Sequence, residues 1–169
     1  MLCPYCNHDN VEGDDLCASC GQDLTTAGVD SLEVGILEAT LDRLGPKAAV
    51  VLAPDTSIAE TVAKLNEHSI GCVLIGSTSE LAGIFSERDL VLRIGERYEE
   101  VRDHPVSEFM TREPEVFEEN TPVAFVMNRM AVRDFRHLPV VRGGKLTGVV
   151  SMRDVLTHVC QSHPDLLGG

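Results

Sequence analysis

The sequence predicts an α/β (α+β) protein in which two β-α-β-β-α repeats pack as a pseudo-two-fold pair behind a small cysteine-rich head. Three observations carry this expectation. The chain repeats itself without a gap at an offset of 65 residues, so that Gly83-Ile84-Phe85-Ser86-Glu87-Arg88-Asp89 returns as Gly148-Val149-Val150-Ser151-Met152-Arg153-Asp154. Val51, Thr56, Ala59 and Leu81 return in the same way as Val116, Thr121, Ala124 and Leu146. Within each copy, short apolar runs alternate with stretches of helical spacing. Ahead of both copies stand two Cys-x-x-Cys pairs, Cys3/Cys6 and Cys17/Cys20. Two copies point to a paired arrangement rather than a solenoid. A single three-stranded sheet with helices on one side is too small to be comfortable alone, and two such units would bury one shared core.

Residues 1–24 form the head. Thr25 to Asp30 reads as a linker, and Ser31 as the N-cap of a helix with Leu32, Ile36, Leu37, Leu41 and Leu44 on one stripe, ended by Gly45-Pro46. The first repeat spans 46–100. It is read as a strand over Ala48 to Leu52, a turn at Pro54-Asp55-Thr56-Ser57, a helix from Ile58 to His68 and a buried strand from Gly71 to Ile75. A second strand follows over Leu81 to Phe85, and a helix from Ser86 to about Ile94. The charged stretch from Glu96 to Ser107 reads as a linker. The second repeat spans 107–160, with a strand near Val116, a helix from Pro122 to Val132 and a strand from His137 to Val141. Arg142-Gly143-Gly144-Lys145 has hairpin chemistry, since Gly-Gly supplies positive φ. Leu146 to Val150 pairs back, a helix runs from Ser151 to Cys160, and the tail after Gln161 is expected to fray.

Composition excludes several functions. A net charge of −13 disfavours nonspecific binding to nucleic acid or to anionic membranes, which rests on excess Lys and Arg. Aromatic residues make up only 4% of the chain, without Trp, which argues against a base-stacking surface. No apolar stretch approaches the roughly 18–20 residues of a membrane helix. The N-terminus lacks a basic segment followed by an apolar run, so the expected location is cytoplasmic.

Cys3, Cys6, Cys17 and Cys20 can complete a tetrahedral thiolate site, and a closed four-cysteine set marks structural zinc, with iron as the lesser candidate. Ten residues separate the two pairs, a spacing that resembles compact zinc-ribbon heads. Such a short segment cannot build an apolar core, so the metal would supply its folding energy. The rival reading is a thiol oxidoreductase, but a redox Cys-x-x-Cys stands once, near a βαβ pattern. The head has no Lys or Arg and carries Asp9, Glu12, Asp14, Asp15 and Asp23, so it is expected to contact protein: its own module, a dimer mate, or a partner with a basic patch. Cys72 and Cys160 read as small buried hydrophobes.

Ser86-x-x-Asp89 and Ser151-x-x-Asp154 follow a strand and open a helix, at capping-box spacing. Structure alone could explain the Ser and the Asp. Arg88 and Arg153 oppose the helix dipole at equivalent positions, which fits an anion site at the helix start or an ion pair with a nearby carboxylate. His137 is matched by Cys72 in the first repeat, and a lone His beside a strand is more often a solvent-facing or core-edge residue.

These motifs, with Arg136-His137-Leu138-Pro139-Val140-Val141 and Gly71-Cys72-Val73-Leu74-Ile75, resemble a tandem cystathionine β-synthase (CBS) domain pair, or Bateman module, over roughly residues 44–160. The resemblance implies paired β-α-β-β-α units, frequent homodimerisation, and clefts for an adenosine-containing ligand: AMP, ADP, ATP or S-adenosylmethionine. It implies ribose contacts for Asp89 and Asp154, ribose or phosphate contacts for Ser86 and Ser151, and adenine pockets lined near the 137–141 strand, where Arg136 or His137 could face a phosphate; Arg88 and Arg153, read above as anion-site candidates, join them as ligand-binding residues. The expected function is regulatory and not enzymatic, signalling to a separate effector protein. The alternative is a dimeric adaptor with degenerate pockets and a zinc ribbon for protein contact.

Overall fold

The computed structural model describes residues 1–3, 6, 8–11, 13–22, 24 and 39–162. The chain divides into two compact units, one drawn from Lys47–Phe117 and His137–Val149, the other from Met1–Pro46, Glu118–Arg136 and Val150–Gly169.

In the first repeat, β1 (Val51–Leu52) leads to helix α1 (Ile58–His68), and β2 (Cys72–Gly76) turns back as β3 (Leu81–Ser86). Ser57 caps α1 by accepting the Glu60 amide at 3.1 Å. Helix α2 (Glu87–Asp89) continues as a π-turn over Leu90–Ile94 and a 3-10 turn over Gly95–Arg97, and α3 (Tyr98–Val101) follows. β1 runs parallel to β2, and β2 antiparallel to β3. A fourth strand, β4 (Thr111–Arg112), pairs antiparallel with β3, so this sheet has four strands instead of the expected three. One side chain set forms the core here: Ile58 and Leu65 from α1, Val73 and Ile75 from β2, Phe85 from β3, with Ile94, Val101, Val106 and Met110. Gly83 is required at its place in β3, because a Cβ there would lie 2.3 Å from the Met110 sulfur and 2.9 Å from the Thr111 carbonyl oxygen.

The second repeat supplies β5 (Phe117–Glu118), α4 (Val123–Arg133), β6 (His137–Arg142), β7 (Lys145–Ser151) and α5 (Met152–Ser162), its sheet ordered β5-β6-β7. Gly143 and Gly144 take φ of 56° and 76°, the two positive values that a two-residue hairpin demands. Both long central helices end on a left-handed residue that is not glycine: Ser69 at φ 50° after α1 and Asp134 at φ 54° after α4, again 65 positions apart.

Two sequence expectations are corrected. The stripe through Leu41 and Leu44 does not sit on one long helix. Ser31 to Leu37 lies outside the described residues, Thr40 is extended, and only a 3-10 turn covers Leu41–Leu44, closed by Gly45 at φ 62°. The cause is competition for the backbone. Leu41 and Asp42 give their amides to the carbonyls of Thr121 and Glu119 at 3.1 and 2.9 Å, and Ala39 accepts from Val123 at 2.8 Å. Nor is Glu96 to Ser107 a plain linker. It carries α3 and a 3-10 turn at Val106–Glu108, held down because Val101 and Val106 are 3% and 0% exposed.

These two segments are counterparts. Val106 and Ser107 give their amides to Thr56 and Pro54 at 2.8 and 3.2 Å, and His104 accepts from Ile58 at 3.0 Å, the same three bonds at the offset of the repeat. Likewise Thr111–Arg112 pairs with Ile84 and Gly83, while Lys47 bridges Val149 through amides at 3.0 and 2.9 Å. Each repeat is thus completed by the segment that precedes the other one. The expected tail after Gln161 and the Thr25 to Asp30 linker fall almost wholly outside the described residues. Among the described residues no helix is long and apolar enough to cross a membrane.

Candidate functional site

The four head cysteines converge. Their sulfur atoms all lie within 4.8 Å of one another, with Cys3 to Cys20 at 3.7 Å and Cys6 to Cys17 at 3.6 Å. These are not disulfides, whose sulfurs sit about 2.05 Å apart. They match the S···S edge of about 3.8 Å that a tetrahedron with metal–sulfur bonds of about 2.3 Å requires. Backbone geometry aims the knuckles. Cys3 gives its amide to His8 at 2.9 Å, Cys17 gives its amide to Gln22 at 2.7 Å, and Gly21 at φ 71° returns its amide to Cys17 at 2.8 Å. Asn10, itself buried, accepts the Ala18 amide at 2.9 Å and braces the second knuckle.

Electrostatics differ among the thiols. Burial acts to raise Cys17, but the amides of Cys20 and Ser19 and the Asn10 side chain outweigh it and bring the thiol to about 6. Burial pushes Cys20 up to about 12, and raises Cys6 as well. Four thiolates at neutral pH therefore need a cation in their midst.

The two Ser-x-Arg-Asp elements form the same local structure. The Ser86 amide donates to Asp89 Oδ2 at 2.9 Å and its hydroxyl to the same oxygen at 2.6 Å, while the Asp89 amide returns to Ser86 Oγ at 3.3 Å. Ser151 and Asp154 repeat this at 2.8, 2.5 and 3.3 Å. The capping reading is therefore realised at both helix starts. Arg88 is half-buried and Arg153 exposed. The first start also carries an ion pair that the sequence reading missed. Arg93 Nε lies 3.1 Å from Asp89 Oδ1, and its guanidinium also donates to the carbonyls of Phe109 and Met110 and to the Thr111 hydroxyl, at 2.8, 2.7 and 2.9 Å. The signal was present as an Asp-to-Arg spacing of four on one helix. The corresponding residue of the second repeat is His158.

His137, the first residue of β6, comes to the helix start of the first repeat. A Cβ on Gly71 would lie 2.6 Å from His137 Nε2 and 3.5 Å from Glu87 Oε2, and the Glu87 amide donates to the Gly71 carbonyl at 3.0 Å. Cys72, next to Gly71, is buried, and its thiol is pushed up to about 12 by that burial, with the Glu87 and Asp89 carboxylates adding to it. Arg136 is exposed, and its carbonyl accepts the Met152 amide at 2.8 Å, the equivalent of the Gly71–Glu87 bond. Gly71 was not singled out in sequence, because only the tertiary structure places it beside the Ser86–Asp89 cap.

Comparison with known proteins agrees with this architecture. The family model described as CBS domain matches residues 47–96 and 106–160. Among solved structures, the CBS-domain containing protein ATU1752 from Agrobacterium tumefaciens is 34% identical with a TM-score of 0.63, covering 70% of this chain and 94% of that one. The CBS domain protein PAE2072 from Pyrobaculum aerophilum, complexed with AMP, has a TM-score of 0.63 at 22% identity, over 73% of this chain and 99% of its own. The CBS domain pair of MJ0100, in complex with 5-methylthioadenosine and S-adenosyl-L-methionine, has a TM-score of 0.62 at 22% identity, over 71% and 98%. The last two likenesses speak for the fold. With two matched repeats that together cover more than half of its residues, the chain belongs to the CBS-domain family, as a tandem pair carrying a four-cysteine cluster at its N-terminal end.

Proposed function

We propose that this protein is a non-enzymatic regulatory module of the cytoplasm that binds an adenosine-containing ligand, AMP, ADP, ATP or S-adenosylmethionine, and signals to a separate effector protein by a shift in conformation. The observation that carries the reading is the twofold occurrence of the Ser–Asp cap at a helix start, with an arginine beside the aspartate each time. Each start thus sets a guanidinium, a bidentate donor for an anion, beside the capping aspartate. AMP in the Pyrobaculum protein and S-adenosyl-L-methionine in MJ0100 support the ligand class. Asp89 and Asp154 would take the ribose, Ser86 and Ser151 the ribose or phosphate, and Arg88, Arg153 and His137 the remaining polar edges. A ligand shifts such a module only by binding one arrangement better than another.

The head would hold a structural zinc ion on Cys3, Cys6, Cys17 and Cys20. The metal would neutralise the thiolates and supply the folding energy that so small a segment lacks. A homodimer is the expected assembly, with neither nucleic acid nor membrane as partner.

Thermal unfolding of zinc-loaded protein with AMP, ADP, ATP, S-adenosylmethionine and GTP tests the proposal. A ligand at 100 times its Kd stabilises by about 2.7 kcal/mol. An adenosine-selective rise in Tm that disappears in the Asp89→Ala/Asp154→Ala double variant supports it, and unchanged affinity in that variant refutes it. A second reading, a dimeric adaptor with degenerate pockets, is favoured by one observation. Both carboxylate oxygens of Asp89 are engaged within the chain, by Ser86 and by Arg93. It expects no response to any of these compounds at millimolar concentration.

A further inference from the structure

Gln22 and Asn128 meet across 106 positions of sequence: Asn128 Nδ2 donates to Gln22 Oε1 at 2.7 Å in a partly buried bond. Both belong to the same compact unit. Gln22 stands two positions beyond Cys20, its carbonyl accepts the Cys17 amide, and Gly21 at φ 71° sets the direction in which the chain leaves the knuckle. The second knuckle therefore dictates where the Gln22 side chain goes. Asn128 sits in the middle of α4, among Val123, Ala124, Val126 and Met130, all buried. Its Oδ1 is buried and has no partner. Only one bond spans the contact, so whichever way the two amides are turned, one polar atom of Asn128 stays unpaired. Nothing in helix formation calls for an amide here, since asparagine is a poor helix-interior residue. The matching position of the first repeat is Ala63, which has no side chain to make such a bond.

We infer that the cysteine head is a metal-dependent clamp on the second repeat. Filling of the thiolate cluster fixes Gln22 against Asn128 and steadies helix α4, while α1, the corresponding helix of the first repeat, is indifferent to the metal. The two repeats then differ in rigidity according to metal supply. This rests on the metal reading above, and zinc content separates the failure of the two. A chain that takes up no zinc when zinc is offered overturns both, whereas a chain that holds zinc without any response of α4 overturns the clamp alone.

The test is amide hydrogen exchange on the full chain, zinc-loaded and after chelation. Removal of zinc should speed exchange in 123–133 by about fivefold, the change that loss of one net hydrogen bond produces. Exchange in 58–68 should stay unchanged. Asn128→Ala, which installs the first-repeat residue, should bind zinc normally yet show the same α4 exchange with and without zinc. Gln22→Ala should do the same, and the two changes together should do no more than either alone. Equal acceleration of both helices, or an Asn128→Ala protein that still responds to chelation as the parent does, refutes the clamp.

Discussion

Arg93 grips Asp89 from within the same helical segment: its Nε lies 3.1 Å from Oδ1, while Oδ2 of the same carboxylate is taken by Ser86. The guanidinium is at the same time a strap on the 109–111 segment that leads into β4, through two carbonyls and one hydroxyl. Arg93→Ala should therefore cost about 1–2 kcal/mol, because hydrogen bonds from a charged donor are lost together while the pair's partial exposure limits the electrostatic share. A urea titration checks this through a lowered midpoint at unchanged slope. A change below a few tenths of a kcal/mol would show that the strap is ornamental.

Gly83 should not tolerate a side chain. With the Met110 sulfur and the Thr111 backbone oxygen in the space that a Cβ would take, Gly83→Ala must push β4 off β3. Overpacking of this kind costs about 1–3 kcal/mol. The expected outcome is a lower Tm that truncation of Met110 to Ala partly restores, and a melting curve identical to the parent's would contradict the packing described.

Cys72 should be inert in the native state. Burial, with Glu87 and Asp89 nearby, moves its thiol from 9.0 up to about 12, so it stays protonated at neutral pH and lacks nucleophilicity. The sign for stability follows. The native state holds this proton more tightly than the unfolded chain, so its contribution is intact below pH 9.0 and is lost as pH rises toward 12. Mass spectrometry after iodoacetamide at pH 8 should find Cys72 unmodified until denaturant is added. Rapid native labelling would place the residue at the surface.

Ser69 and Asp134 hold left-handed conformations that suit glycine better. Ser69→Gly should raise stability by a few tenths of a kcal/mol up to about 1 kcal/mol, as relief of a Cβ strain exceeds the added freedom of the unfolded chain. Differential scanning calorimetry reads this as a higher Tm, and a drop would mean that the serine side chain contributes more than the strain costs.

The elements of each repeat were legible because their signals are local. Ile58 to His68 carries a helical stripe behind a Ser cap, and Gly143-Gly144 dictates its hairpin whatever surrounds it. The capping boxes were legible for the same reason. What escaped was set by partners distant in sequence. Residues 39–47 read as the end of a helix, yet their backbone bonds are claimed by residues 119–123 and 149. Glu96 to Ser107 is charged enough to pass for a linker, although Val101 and Val106 are core residues. In the site, the position of His137 beside Gly71 and the Gln22–Asn128 bond are matters of tertiary placement that spacing along the chain does not encode.

The crossing of Lys47 to Val149, and of Thr111–Arg112 to β3, bears on how such a chain can arise. A lone copy would leave its sheet edge open, the template on which a second chain pairs. Two identical copies that traded their leading segments would close both edges, a domain-swapped dimer. Joining them head to tail in one gene keeps every bond and turns a bimolecular encounter into an intramolecular one. A duplication of this kind would keep an exchange that two separate copies already make. A chain cut within Arg102-Asp103-His104 should leave two halves, each disordered alone, that recover circular-dichroism signal and cooperative unfolding when mixed.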